Sequence, residues 1–416
     1  MKKALIYLLF LSAALVFSGC FCIYYNIAGA QDLYYGSKYF RPYAQLKQEM
    51  REKQIIELKD HRILLLNHDH SELFDPYTKT SELLPGWGSI NIFAQVITMT
   101  SLQDGNVLIT KGPERGNLTC EKRNQGKSIC PQYAVPVFDV KQKKIIWFPF
   151  VLADIEKHTI NTLPDGNLLI VGGMLVESGR AGYVSLPNGQ SYFENNISIY
   201  NPKNHTLRSI GHLKVPRAYH KTLLLNDKEA LVFGGCELSG DRLQDLAAPY
   251  NSKLHSVELV NLETGNSEII GRIESEAKSR IIRIDDDRFL LPQAGIQNGY
   301  IFTEVFNYRH PMQPVLIKVP ILDKYMTSSC VLLPNKEILC LGEKAASIIN
   351  IQTMEIKSLG DFTNTPLLNV KPIYIPHVGI LVFGTRRYID LRKDNSYRSI
   401  QIFNYERYLQ DTRKRG

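Results

Sequence analysis

His158 and His220 stand in the same register, each seven residues before an aspartate, Asp165 and Asp227. An imidazole titrates near neutral pH and can donate, accept or ligate a metal, so a repeated histidine is a first place to look for chemistry. Arg217, Arg280 and Ser329 fall on strands equivalent to those two. These five are the candidate binding residues, and together they would make a polar, cation-rich floor. The competing reading makes them packing positions that bond neighbouring units. His68-Asp69-His70 offers two imidazoles to a metal but no third ligand, and it reads as a solvated loop. The triplet Asp285-Asp286-Asp287 sits in a tight turn, where aspartate serves turn geometry, and no EF-hand pattern surrounds it. The chain holds no G-x-S-x-G, no H-E-x-x-H and no phosphate loop. No catalytic residue, metal or cofactor is therefore assigned.

The elements that position these residues are written in a repeat. Seven times a short strand meets an Asp/Asn/Gly turn and returns as a strongly apolar strand. The turns lie at Lys59-Asp60, Asp104-Gly105, Asp165-Gly166, Asn226-Asp227, Asp285-Asp286, Asn335-Lys336 and His377-Val378. Turn residues that tolerate positive φ supply the reversal, and the Val, Ile, Leu and Phe that follow suit a strand buried on both faces. A third strand then ends at Asp75, Asp139, Asn201, Asn261, Asn307, Asn350 or Asn404. Asp and Asn turn the chain there by bonding their own backbone. A short fourth strand, such as Lys144 to Phe148, precedes the next copy. Four antiparallel strands per unit, repeating every ~40–60 residues, predict an all-β propeller.

Val215-Pro216-Arg217-Ala218-Tyr219-His220, followed by the hairpin ending Gly234-Gly235, resembles a kelch repeat. The resemblance covers roughly residues 54 to 405, with the Gly-Gly pair intact only at Gly172-Gly173 and Gly234-Gly235, and the fourth-strand tryptophan clear only as Trp147. It implies a seven-bladed propeller in which the strand carrying His158 or His220 lies nearest the axis. Six blades plus a decayed unit is the alternative. The last copy has no apolar fourth strand in residues 405–416, so Asp32 to Tyr43 is the candidate to close the ring. Tyr43 to Ile56 reads alternatively as a short linker helix.

Met1-Lys2-Lys3 and the apolar run Ala4 to Tyr25 read as an export signal. Val16-Phe17-Ser18-Gly19-Cys20 resembles a bacterial lipobox, which implies lipidation of Cys20. An uncleaved anchor, since about 20 apolar residues span a bilayer, and cleavage after Ala28-Gly29-Ala30 are the other outcomes. All three place the rest outside the cytoplasm, in the cell envelope and membrane-associated in the first two. Cys120 and Cys130 bracket a short polar loop and are expected to form a disulfide. Cys330 and Cys340 lie on neighbouring strands of one hairpin, as a bridge or as two packed thiols. The sequence thus divides into residues 1–30, a signal or anchor; 31–53, a linker that also offers the closing strand; 54–405, the propeller; and 406–416, a basic tail.

A formal charge of +8 over 416 residues is modest. The clusters Lys141 to Lys144 and Arg413-Lys414-Arg415 read as solvated turns and tail, and no nucleic acid is expected as partner. The leading expectation is a membrane-tethered binding module that presents loops to a protein or a glycan. The alternative, from the same resemblance, is a carbohydrate-active enzyme akin to sialic-acid mutarotases or galactose oxidases, working at the channel mouth.

Overall fold

The computed structural model describes residues 38–47, 54–66, 71–84, 98–110, 121–122, 128–129, 134–149, 155–175, 193–237, 252–275, 281–297, 300–320, 329–342, 344–362, 367–386 and 399–414. Seven antiparallel sheets form the blades of a propeller, each of four strands, with the short strand Ile155–Glu156 added as a fifth to blade 3. Blade 1 runs Gln54–Glu57, Ile63–Leu66, Ser71–Asp75 and Thr80–Leu84; blades 2 to 6 begin at Thr98, Thr159, Lys221, Ile282 and Ser329. Blade 7 takes three strands from the end of the chain, Leu367–Ile375, Gly379–Arg386 and Ser399–Phe403, and its outer strand from the beginning, Phe40–Gln45. Phe40 pairs with Phe403 and Gln45 with Ser399. The region expected as closing strand or linker helix is thus strand at Phe40–Gln45 and again at Gln54–Glu57.

The turn chemistry is local and repeats. His61, Gly105, Gly166, Lys336 and His377 sit at positive φ in the hairpin turns, which matches the right-handed strand twist. At the third-strand turns, Asp75, Asp139, Asn201, Asn261, Asn307 and Asn350 each accept a backbone N–H two or three residues on. Asn404 does the same to Arg407 N–H at 3.1 Å, but here the bond caps a helix, Tyr405–Arg413. Residues read as a basic tail therefore form a helix, and its Tyr408 is buried against blades 6 and 7.

Among the described residues the core forms seven apolar clusters, one at each junction between adjacent blades. The junction of blade 7 with blade 1, where Ile373, Leu381 and Phe383 meet Ile55, Leu65 and Phe74, closes the ring. The alternative of six blades is excluded. First strands of neighbouring blades touch at the axis: Thr162 Oγ1 donates to Ser101 O at 2.6 Å, and Asn161 Nδ2 to Thr222 O at 3.3 Å.

This winding gives the propeller two unlike faces. First-to-second and third-to-outer turns fall on one, the turn face, and are tight. The other, the loop face, receives the connections from second to third strands and from blade to blade. The strands flanking residues 111–133, 176–192, 238–255 and 387–398 all open toward it.

Cys330 and Cys340 pair directly across the first two strands of blade 6 and form a disulfide, with Cα atoms 4.2 Å apart. Cys120, Cys130, Cys20, Arg280 and His68-Asp69-His70 lie outside the described residues.

Candidate functional site

The structure brings together His158, Arg217 and His220 where blade 3 meets blade 4, on the loop face. Ser329 is half-buried on the first strand of blade 6, opposite Leu341, away from that junction. Arg217 belongs to the segment Leu213–His220, which leads from the outer strand of blade 3, Thr206–His212, to the first strand of blade 4, Lys221–Leu224. The segment is not a strand, yet its backbone is bonded on both sides. Leu213 N–H donates to Asn195 O and Arg217 N–H to Glu194 O, while Arg217 O accepts from Gly173 N–H at 2.9 Å and Ala218 O from Cys236 N–H at 2.9 Å.

These approaches explain the two Gly-Gly pairs. Gly172 has φ +56, and a Cβ there would lie 2.6 Å from Arg217 O; Gly235 has φ +98, and its Cβ would lie 2.6 Å from Ala218 O. Only glycine admits both the conformation and the contact. Blades 3 and 4 retain the pair because this one segment is pressed between them.

Arg217 has no exposed surface. Its Nε donates to Val215 O, Nη1 to Gly234 O and Ser256 O, and Nη2 to Ser256 Oγ and Glu258 Oε1. All five guanidinium hydrogens are thereby engaged. Glu258, equally buried, also accepts from Lys214 N–H at 2.7 Å, Val215 N–H at 3.2 Å and Ser267 Oγ at 3.1 Å. The pair is a clamp on the segment, not a cation open to a ligand.

His220 is similarly enclosed, with Nε2 3.1 Å from Thr159 Oγ1. Burial, then the positive charge of Arg217, pushes its pKa down to about 3, with His158 adding to the effect. It is therefore neutral at physiological pH, and its pKa lies far from the range that suits a general acid or base there. His158 is buried beside it.

Two features of the junctions lie outside the sequence motifs. Glu72, Glu258 and Glu304 each stand three residues before the Asp or Asn turn of their blade, and each is buried. Each grips the segment entering its own blade: Glu72 accepts from Lys47 N–H at 2.6 Å, and Glu304 from Glu274 and Ser275 N–H, both at 2.9 Å. The signal was available as a carboxylate recurring in one register of an apolar strand. The second feature is Lys157 with Tyr219. Both residues have φ of 58°, Tyr219 N–H donates to Lys157 O at 3.1 Å, and Lys157 Nζ lies 5.5 Å from the centre of the Tyr219 ring. A bulky residue in the left-handed region costs about 1–3 kcal/mol. Glu194, half-buried nearby, has its carboxyl pushed up by burial.

Among the described residues, no group of three or more His, Cys, Asp or Glu is arranged to hold a metal ion. The acidic triplet is committed to its turn: Asp285 accepts from Asp287 and Arg288 N–H, Arg283 pairs with Asp286 and Arg309 with Asp287.

No protein-family model matches the chain. No curated protein matches it by sequence either. Among solved structures it is similar to a fungal alcohol oxidase of the AA5 family in complex with copper, with a TM-score of 0.55 and 11% identity, covering 88% of this chain and 76% of the oxidase. At that identity the likeness is one of fold alone.

Proposed function

We propose that this chain is an exported, membrane-tethered, kelch-like propeller that binds a protein or glycan partner through its loop face. The observation that carries the reading is the Lys157–Tyr219 pair. Two strained, half-buried side chains, an aromatic ring and an ammonium group, are held together on the face where the long connections begin. Strain retained in a rigid setting points to use, because a relaxed residue would otherwise serve the fold better. A ring flanked by polar groups suits the apolar face and hydroxyls of a sugar, or a side chain of a protein. The clamp at Arg217 and Glu258 fixes the backbone from which Tyr219 projects. The Cys330–Cys340 disulfide supports an oxidising compartment. No helix among the described residues is long and apolar enough to cross a membrane; the tether is assigned to the run Ala4 to Tyr25, outside them.

The enzyme alternative draws on the likeness to the copper oxidase. The described residues supply no metal-binding group of three or more His, Cys, Asp and Glu.

Tyr219→Gly separates use from structure, because it removes the ring and relieves the left-handed strain. The full-length chain in detergent is screened against arrayed glycans and envelope proteins. The reading expects a ligand that loses at least about tenfold in affinity on this change (about 1.4 kcal/mol), while the melting temperature holds or rises. Ligands bound equally by both forms would remove the Tyr219 site. Turnover of a sugar, by oxidation with added copper or by anomer exchange, would install the enzyme in place of the binder.

A further inference from the structure

We propose that the turn face, at the sector of blades 6 and 7, is a docking surface for anionic lipid headgroups, so that the loop face points away from the membrane. This rests on the tether assigned above. The tether reaches the propeller at Lys38, and strand pairing fixes where that is. Phe40 pairs with Phe403 and Tyr39 O accepts from Asn404 N–H, so the chain enters on the turn face, beside the start of the C-terminal helix.

That helix is secured to the same face. Tyr405 Oη accepts from Asn335 N–H at 3.0 Å, Tyr408 Oη donates to Glu337 at 2.7 Å, and Tyr39 Oη donates to Asp411 at 3.1 Å. Lys38 pairs with Asp411 as well. Glu337 and Asp411 are thereby occupied, whereas Arg407, Arg413, Lys414 and Lys336 are exposed and carry no ion pair among the described contacts. Glu406 and Glu355 are the exposed acids of the sector. The remaining surface is cationic, and it is built on a helix pinned at both flanks.

The chain from Tyr25 to Lys38 reaches at most roughly 45 Å when fully extended. The tether thus confines the helix near the bilayer and raises its effective concentration at the surface. Charges act on anionic headgroups only within about a Debye length, ~8 Å in physiological salt. Confinement and charge work together here, because both termini of the propeller lie on one face. A tether entering on the loop face would have turned the same cations away.

The test uses the full-length chain in vesicles of phosphatidylcholine alone or mixed with phosphatidylglycerol. A photoreactive benzoylphenylalanine replaces Gln410 on the helix or Lys253 on the loop face, both exposed. Lipid adducts at position 410 should increase several-fold with phosphatidylglycerol, fall again in high salt, and exceed those at 253. The triple change Arg407→Glu, Arg413→Glu, Lys414→Glu should abolish that increase while the melting temperature is retained. Equal adducts at 410 and 253, or adducts at 410 indifferent to lipid charge, overturn the surface. Flotation with neutral vesicles reports on the tether separately. A chain that floats only with anionic vesicles and crosslinks at 410 has the surface without the tether; one that floats with neither has lost both.

Discussion

Glu258 of blade 4 and Glu304 of blade 5 occupy the same register, and each holds two backbone N–H groups of the segment entering its blade. They differ in company. Glu258 faces Arg217 and Ser267 and has its charge balanced in a fully buried site. Glu304 is just as buried but pairs with no cation among the described residues, and burial pushes its carboxyl above the usual range. Two N–H donors suffice to hold a chain segment, then, but not to make a buried carboxylate comfortable. The guanidinium is found where the segment itself is wedged between two blades.

The largest test removes that guanidinium. Arg217→Met leaves Glu258 charged and alone in the interior, and should destabilise the chain by about 3–5 kcal/mol in chemical denaturation. Adding Glu258→Gln should restore part of the loss, since the orphaned charge goes with it. A loss under about 1 kcal/mol would mean that the clamp does not hold the junction.

Acid should act on the two junctions in opposite senses. His220 is depressed to about 3 from its ordinary 6.5, so the unfolded chain takes up a proton that the folded chain refuses. Its contribution is complete above 6.5 and is lost as pH falls from there toward 3, at up to about 1.4 kcal/mol per unit, or about 2 kcal/mol by pH ~5. Denaturation measured across that range should show this slope, and His220→Gln should flatten it. A slope unchanged by the substitution would place the titration elsewhere.

The smallest effect is at blade 5. A raised carboxyl binds its proton more tightly folded than unfolded, so the cost of Glu304 is present when ionised and fades as pH falls through its folded value toward the ordinary 4.5. Glu304→Gln should therefore change stability at neutral pH by about 1 kcal/mol or less, far below the clamp. A loss as large as that of Arg217→Met would show that this carboxylate has a cation of its own.

The blades were legible in the sequence because their turns are local. Asp104 or Asn261 bonds a backbone group two residues away, and such a bond needs no tertiary information. The helix was not legible from the same signal: Asn404 is spelled like the six turn residues before it, and only the pairing of Phe40 with Phe403 frees it to act as a cap. The candidate site was legible by position and not by role. Register anticipated strands for His158, Arg217 and His220, whereas His158 and His220 each sit just before the first strand of a blade and Arg217 lies in the irregular segment that enters blade 4. Nor can register say whether a side chain faces a channel or a neighbouring blade. That is decided by the segment crossing Gly172 and Gly235, a contact between distant residues. The buried glutamates went unread for a related reason, as a charged residue in a strand looks solvent-facing until the incoming backbone is placed above it.

The origin of the outer strand of blade 7 has a consequence for synthesis. Among the described strands, Phe40–Gln45 is made first and its partner Ser399–Phe403 last. All the other described blade strands must be made before the two can meet, so this pairing has the largest sequence separation of the described strand pairs and comes late. Until then the Gly379–Arg386 and Ser399–Phe403 pair presents a bare edge, while the early strand waits without a sheet. Both are open to pairing with another copy that is at the same stage. The ring is therefore most exposed to association between nascent chains just before it shuts.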